Sequence, residues 1–229
     1  MFHISTARLI RVALLLVAVG TLVSVSEAQE TRWAAAMAAF VEADRAMPPP
    51  ENHVVFTGSS SIVRWNLEKW FPGQNFINRG FGGSEISDAI HHIDTVVLKH
   101  KPRLVVFYSG DNDTARGKSG ETVFADFKTF AGKVHAELPQ TRIAVISIKP
   151  SVARWEKVNE VRKANSLMRD FAAKTDYIGF VDIEGTVLGW DGTPNPDLLV
   201  DDGLHMKPAG YEIWTAALKP FLMPSTGSN

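Results

Sequence analysis

Five short runs along the chain are almost continuously apolar: His53–Thr57, Asn75–Asn78, Leu104–Ser109, Arg142–Ile148 and Ile178–Ile183. A strand with one wet face alternates, so unbroken runs of this length predict strands buried on both faces, the signature of a parallel sheet. Between them the apolar residues recur at helical spacing. Ile86, Ile90, Ile93 and Val97 form one stripe, Phe127, Ala131, Val134 and Leu138 a second, and Val158, Val161, Met168 and Phe171 a third. A closing segment from about Pro208 to Leu222 places Tyr211, Trp214, Leu218 and Phe221 on one face, with proline in its first turn. Strands alternating with helices predict a three-layer α/β/α sandwich around a central five-stranded parallel sheet. A helix over Arg32–Met47 precedes this core, and Pro48-Pro49-Pro50 ends it because proline lacks the backbone donor a helix needs.

The first 28 residues break the pattern. Arg8 and Arg11 precede an apolar run from Val12 to Val25, and Ser26-Glu27-Ala28 supplies small residues at the two positions a signal peptidase reads. The run is shorter than the roughly 20 apolar residues that span a bilayer, so the expectation is a signal peptide over 1–28, cleaved after Ala28. Residues 29–229 then form one domain, with its core over about 54–222, exported to a periplasmic or extracellular location. No stable membrane insertion is expected after cleavage.

Charge narrows the partner class. The chain carries 24 basic and 25 acidic residues, and loss of Arg8, Arg11 and Glu27 makes the balance one charge more negative. That excludes the basic footprint of a nucleic-acid binder and favours a small or neutral partner. With no cysteine, neither a disulfide nor a lipid-attached N-terminal cysteine can form.

In an open parallel sheet, ligands bind beyond the carboxyl ends of the strands. Four segments there stand out: Thr57-Gly58-Ser59-Ser60-Ser61, Gly80-Phe81-Gly82-Gly83, Gly110-Asp111-Asn112-Asp113, and Asp201-Asp202-Gly203-Leu204-His205. Each alone fits ordinary turn chemistry. Together they contain a hydroxyl nucleophile, a histidine base, a carboxylate to orient it, and oxyanion donors from glycine backbone and an asparagine amide, which is the inventory of an acyl-transfer site.

These four blocks, in this order, resemble those of the SGNH (GDSL-like) hydrolases, whose first block reads Gly-Asp-Ser and whose last carries Asp-x-x-His. The resemblance covers about Val54 to Leu222 and implies a flavodoxin-like sandwich with ester-hydrolase activity and no cofactor. By it, Ser60 matches the catalytic serine, Gly83 and Asn112 the oxyanion positions beside the Ser60 amide, and Asp202 and His205 the rest of a triad. Ser59 stands where the family has aspartate, making three consecutive serines. The retained Gly58-x-Ser60 spacing ranks Ser60 first, then Ser61, then Ser59; Asp201 is the reserve orienting group.

The expected substrate is a small-molecule or polysaccharide ester, either an acetylated carbohydrate or a lipid ester, with Trp155 and Trp190 as candidate stacking or packing residues. Two other classes remain open. A metal-dependent phosphoesterase would use Asp111, Asp113, Asp201, Asp202 and His205 as ligands but leaves the serines idle. A flavodoxin-like binding module would cradle phosphate on Thr57–Ser61 but leaves Asp202 and His205 idle. Asn112-Asp113-Thr114 also matches a glycosylation acceptor, a role that excludes an oxyanion role for Asn112. Of the other histidines, His91 and His92 are expected on a helix, His100 and His135 at helix surfaces, and His53 where a strand begins; none has a metal-ligand spacing.

Overall fold

The computed structural model describes residues 32–223. The expected signal segment therefore lies outside the described residues, which divide into two units, 32–39 and 40–223. Residues 32–46 form helix α1, ending where the proline run begins.

In the second unit, five parallel strands, β1 (Val54–Gly58), β2 (Phe76–Gly80), β3 (Leu104–Tyr108), β4 (Arg142–Ile146) and β5 (Ile178–Val181), pair in the order β2-β1-β3-β4-β5. β1 sits in register with both neighbours, so Gly58 lies opposite Gly80 on one side and Tyr108 on the other. The order reverses between β1 and β3, which opens a crevice beyond their carboxyl ends.

Helices α2 (Ser60–Val63) and α3 (Leu67–Trp70) follow β1, and α4 (Ile86–His91) and α5 (Ile93–Val96) follow β2. The predicted stripe from Ile86 to Val97 is thus two short helices: the chain kinks at His92. Helices α6 (Asp111–Ala115) and α7 (Gly120–Glu137) follow β3, α8 (Val158–Ala172) follows β4, and α9 (Pro208–Leu222) closes the chain.

Alternate strand residues supply the two faces. Val54, Phe56, Leu104, Val106 and Tyr108 join a cluster with Trp65 of the α2–α3 turn and Tyr211, Trp214 and Leu218 of α9. Trp214 stands 4.7 Å from the Tyr108 ring and 5.5 Å from Trp65, ring centre to ring centre. On the opposite face Phe107 stacks at 4.2 Å on Phe130 of α7, and α7 packs on α8. Full burial of a phenylalanine such as Phe107 or Phe130 contributes about 1.5–3 kcal/mol relative to exposure.

His100 departs from its expected place at a helix surface. It is buried beside β1, where its ring meets His53 edge-on at 6.0 Å and its Nε2 lies 3.2 Å from the Thr95 carbonyl. Burial pulls it down to about 4, against the nearby Asp44 carboxylate. Asp44 is shared with Arg79 and Lys99, so this cluster at the end of α1 is a charge anchor.

Candidate active site

The site begins with a tight turn at the end of β1. Gly58 has φ of +132°, and a Cβ there would stand 1.8 Å from the Tyr108 carbonyl oxygen, so only glycine fits. Ser59 follows in extended conformation, donating its N–H to the Tyr108 carbonyl at 3.0 Å, and α2 starts at Ser60. The short α2 is held from outside: Asn78 Nδ2 donates to the Ile62 carbonyl at 2.6 Å and Tyr211 Oη to the Ser61 carbonyl at 2.8 Å.

This turn gives the three serines different surroundings. Ser59 is fully buried, with Oγ 3.4 Å from Asp111 Oδ1. Ser61 is buried as well. Ser60 is half-buried, and its Oγ lies 2.9 Å from His205 Nε2 across 145 residues of sequence. The other ring nitrogen, Nδ1, is 2.6 Å from Asp202 Oδ2. A carboxylate can only accept, so Nδ1 carries the proton and Nε2 is left to accept from the serine hydroxyl.

Asp202 is itself fixed by the backbone of its own turn. Its Oδ1 accepts from the amides of Leu204 at 2.8 Å and His205 at 2.9 Å. The ring of His205 and then these amides hold the carboxyl well below the ordinary range, although 43% of the side chain is exposed. Gly203 between them takes φ of +66°. Asp201 is exposed and stands outside this line of bonds.

The glycine loop after β2 comes beside Ser60: a Cβ on Gly82 would stand 3.7 Å from the serine Cβ. Phe81 N–H donates to Gly58 O at 2.9 Å, which ties the two loops together. Gly83 adopts φ of +77°, and its carbonyl accepts from Arg116 at 3.1 Å.

Asn112, on α6, is buried with both ends of its carboxamide engaged. Nδ2 donates to the Ser84 carbonyl at 2.9 Å, and Oδ1 accepts from Arg154 Nη2 at 3.0 Å. A side chain so enclosed is no exposed glycan acceptor. Gly110, just before α6, has φ of +116°, and a Cβ there would meet Ile148 at 2.5 Å.

The acidic residues of the metal-ligand reading are dispersed among other partners. Asp111 Oδ2 lies 3.1 Å from Arg154 Nη1, with the buried Lys149 ammonium 3.9 Å away. Asp113 accepts from Ile86 N–H at 3.2 Å and Lys118 Nζ at 2.9 Å. Among the described residues, no group of three or more histidine, cysteine or acidic side chains is placed to hold a metal ion.

Arg154 and Lys149 escaped the sequence reading. Arg154 lies in the short 3-10 segment Val152–Lys157 and Lys149 just after β4, and neither belongs to a glycine-rich block. A lone cation beside a strand end carries no sequence signal. Trp155 is half-buried beneath the Arg162 guanidinium, 5.7 Å from its ring centre, and Trp190 is fully exposed.

Similarity to other proteins runs in the same direction. In three solved structures the same fold recurs. A protein from Streptococcus pneumonia provisionally named a platelet activating factor superposes with a TM-score of 0.75 at 19% identity, over 91% of this chain and 99% of the other. A GDSL-like lipase from Bacteroides thetaiotaomicron gives 0.69 at 24%, over 81% and 96%. A carbohydrate esterase family 3 protein from Talaromyces cellulolyticus gives 0.61 at 19%, over 74% and 95%. No curated protein matches. The model of the GDSL-like lipase/acylhydrolase family matches residues 57–213, from the Gly58 turn to beyond His205, and the chain belongs to that family of ester-bond hydrolases.

Proposed function

We propose that this hydrolase is an exported serine esterase in which Ser60 is the nucleophile, His205 the general base, and Asp202 the group that orients the imidazole. The observation that carries this reading is the continuous line Ser60 Oγ, His205 Nε2, His205 Nδ1, Asp202 Oδ2, with contacts of 2.9 and 2.6 Å. A neutral serine hydroxyl is a poor nucleophile until such a base accepts its proton.

As Oγ attacks the ester carbonyl, its proton passes to His205 Nε2. The negative charge on the carbonyl oxygen is met by the Ser60 and Gly83 amides and by the Asn112 Nδ2 hydrogen not given to Ser84. Collapse of the tetrahedral species breaks the bond to the alcohol, which takes the proton from His205. Water, deprotonated by the same base, then releases the acid and restores Ser60.

The favoured substrate is an acetylated carbohydrate. Export past Ala28 directs the enzyme to extracellular or envelope material, and the fully exposed Trp190 indole offers the flat apolar face on which a sugar ring stacks. Likeness to a carbohydrate esterase family 3 protein supports the same choice.

An organophosphorus ester should inactivate the protein with one adduct, mapped to Ser60 by peptide mass spectrometry. An adduct on Ser59 or Ser61, or none, refutes the assignment. Acyl esters of increasing chain length run beside acetylated sugars decide the substrate: preference for long acyl chains would make it a lipid esterase. Mature protein beginning at Gln29 in the medium or periplasm tests export.

A further inference from the structure

The Asn112 carboxamide does not hold its orientation alone. We propose that Arg154 is a positioning residue of the oxyanion hole, whose guanidinium dictates which end of the Asn112 amide faces the substrate; this rests on the reading of Asn112 as an oxyanion donor.

A carboxamide presents an acceptor at one end and a donor at the other, and the two ends have nearly the same shape. Rotation by half a turn would exchange them and put an oxygen where the oxyanion needs a hydrogen. A guanidinium has only donors, so Arg154 Nη2, 3.0 Å from Oδ1, admits the oxygen and rejects the amino group. At the other end the Ser84 carbonyl, 2.9 Å from Nδ2, can only accept. The flipped amide would face donor with donor and acceptor with acceptor, while the observed one leaves a single Nδ2 hydrogen free for a ligand.

Arg154 is in turn held by the residue next to Asn112. Asp111 Oδ2 lies 3.1 Å from Nη1, and its other oxygen is 3.4 Å from the Ser59 hydroxyl. The Asp111 side chain is 6% exposed and that of Arg154 22%, so their attraction is little screened by water. Ser59 fills the position where the family resemblance expects aspartate, and its neutral hydroxyl leaves Asp111 as the carboxylate that receives Arg154. The backbone assists: Arg154 leaves helical geometry within its 3-10 segment, and Ala153 N–H donates to Gly203 O at 3.0 Å. One segment thereby touches both the oxyanion asparagine and the turn that carries the base.

Adjacent charge also polarises the amide. A cation bonded to Oδ1 draws electron density from the nitrogen and strengthens its remaining N–H as a donor. The benefit grows as charge develops in the transition state, so loss of Arg154 should lower kcat and leave KM nearly unchanged.

A double-mutant cycle on the full-length enzyme, with kcat expressed per site titrated by organophosphate, tests the role. Arg154→Met should lower kcat about tenfold or more, less than the roughly 10²–10³ expected for Asn112→Ala. Arg154→Lys should recover part of that, since an ammonium can reach Oδ1 but, unlike the guanidinium, cannot set a second nitrogen beside Asp111 at the same time. The Arg154→Met, Asn112→Ala double variant should be no slower than Asn112→Ala alone, because nothing remains to be positioned. Should Arg154→Met fail to fold, Arg154→Lys carries the same cycle. Losses that multiply, or an unchanged kcat at Arg154 beside an impaired Asn112→Ala, overturn the positioning role alone. An unchanged kcat in Asn112→Ala overturns the oxyanion reading, and the role of Arg154 with it.

Discussion

Two aspartates, Asp202 on the turn before α9 and Asp113 in the short helix α6, live in opposite electrostatic circumstances. Asp202 has 43% of its side chain exposed, yet hydrogen bonds from His205 and two backbone amides hold it well below the ordinary carboxylate range. Asp113 is fully buried, and burial pushes it up to about 6 although Lys118 and the Ile86 amide donate to it. On Lys118 burial acts downward, but Asp126 and Asp113 more than offset it and hold the ammonium above its usual range. In the open turn, donors aimed at the anion decide the outcome; in the buried helix, loss of water outweighs an ion pair. The first arrangement yields a carboxylate available to orient a base, the second a strut tying α4 to α6.

The largest effect should come from making the exposed aspartate neutral. Asp202→Asn keeps an oxygen for the Leu204 and His205 amides but can turn an amino group toward Nδ1, favouring the wrong tautomer. A loss in kcat of up to about 10⁴, with melting temperature nearly unchanged, is expected. Retained activity would remove Asp202 from the mechanism and shift attention to Asp201.

The buried aspartate should respond in stability. Asp113→Ala strands the Ile86 N–H and removes one of the three carboxylates around the Lys118 ammonium, which keeps Glu85 and Asp126, and denaturant titration should register a loss of about 1–3 kcal/mol. Active-site titre should fall with the folded fraction while kcat per titrated site stays close to normal. A selective loss of kcat would mean that the strut acts on the chemistry.

The pH dependence of stability should carry opposite signs at the two positions. Asp202, depressed on folding, contributes stability present above about pH 4 and lost as pH falls further, weakened by its exposure. Asp113, raised on folding, contributes stability fully present below about pH 4 and lost as pH rises through about 6. The melting temperature of Asp113→Asn should therefore gain on the wild type between pH 4 and 7. A gain in the other direction would show the Lys118 ion pair outweighing burial.

Asp201 should give the smallest effect. It is exposed and outside the Ser60–His205–Asp202 line, so Asp201→Asn should leave kcat within about twofold and stability within about 0.5 kcal/mol. A larger fall in kcat would place this neighbour within the triad.

Much of the architecture was legible because it rests on local pattern. The strands lie within one or two residues of the apolar runs, and the reason is plainest in the central β1 and β3, whose residues are all buried and so must be largely apolar on both faces. The segment Pro208–Leu222 is a helix with the expected bounds, set by a proline start and a one-faced stripe. The four loops stood out because turns with positive φ at Gly58, Gly83, Gly110 and Gly203 demand glycine and leave a trace in composition. His100 departs from the expected surface position, because helical spacing near the end of a short turn does not report what covers it.

By itself, then, the sequence determined the alternation of strands and helices, the places where the backbone must turn tightly, and the residue types gathered there. Only tertiary structure decided which of three adjacent serines faces His205, because successive residues entering a helix point about 100° apart and the partner lies 145 residues away. It also decided that Asp111 serves Arg154 and Asp113 serves Lys118, pairings that involve residues with no motif of their own. Local rules act through backbone geometry and nearest-neighbour burial, both written in short stretches of chain. Pairing of charges across loops depends on the distance and solvent between groups that meet only after the sheet has brought the strand ends together.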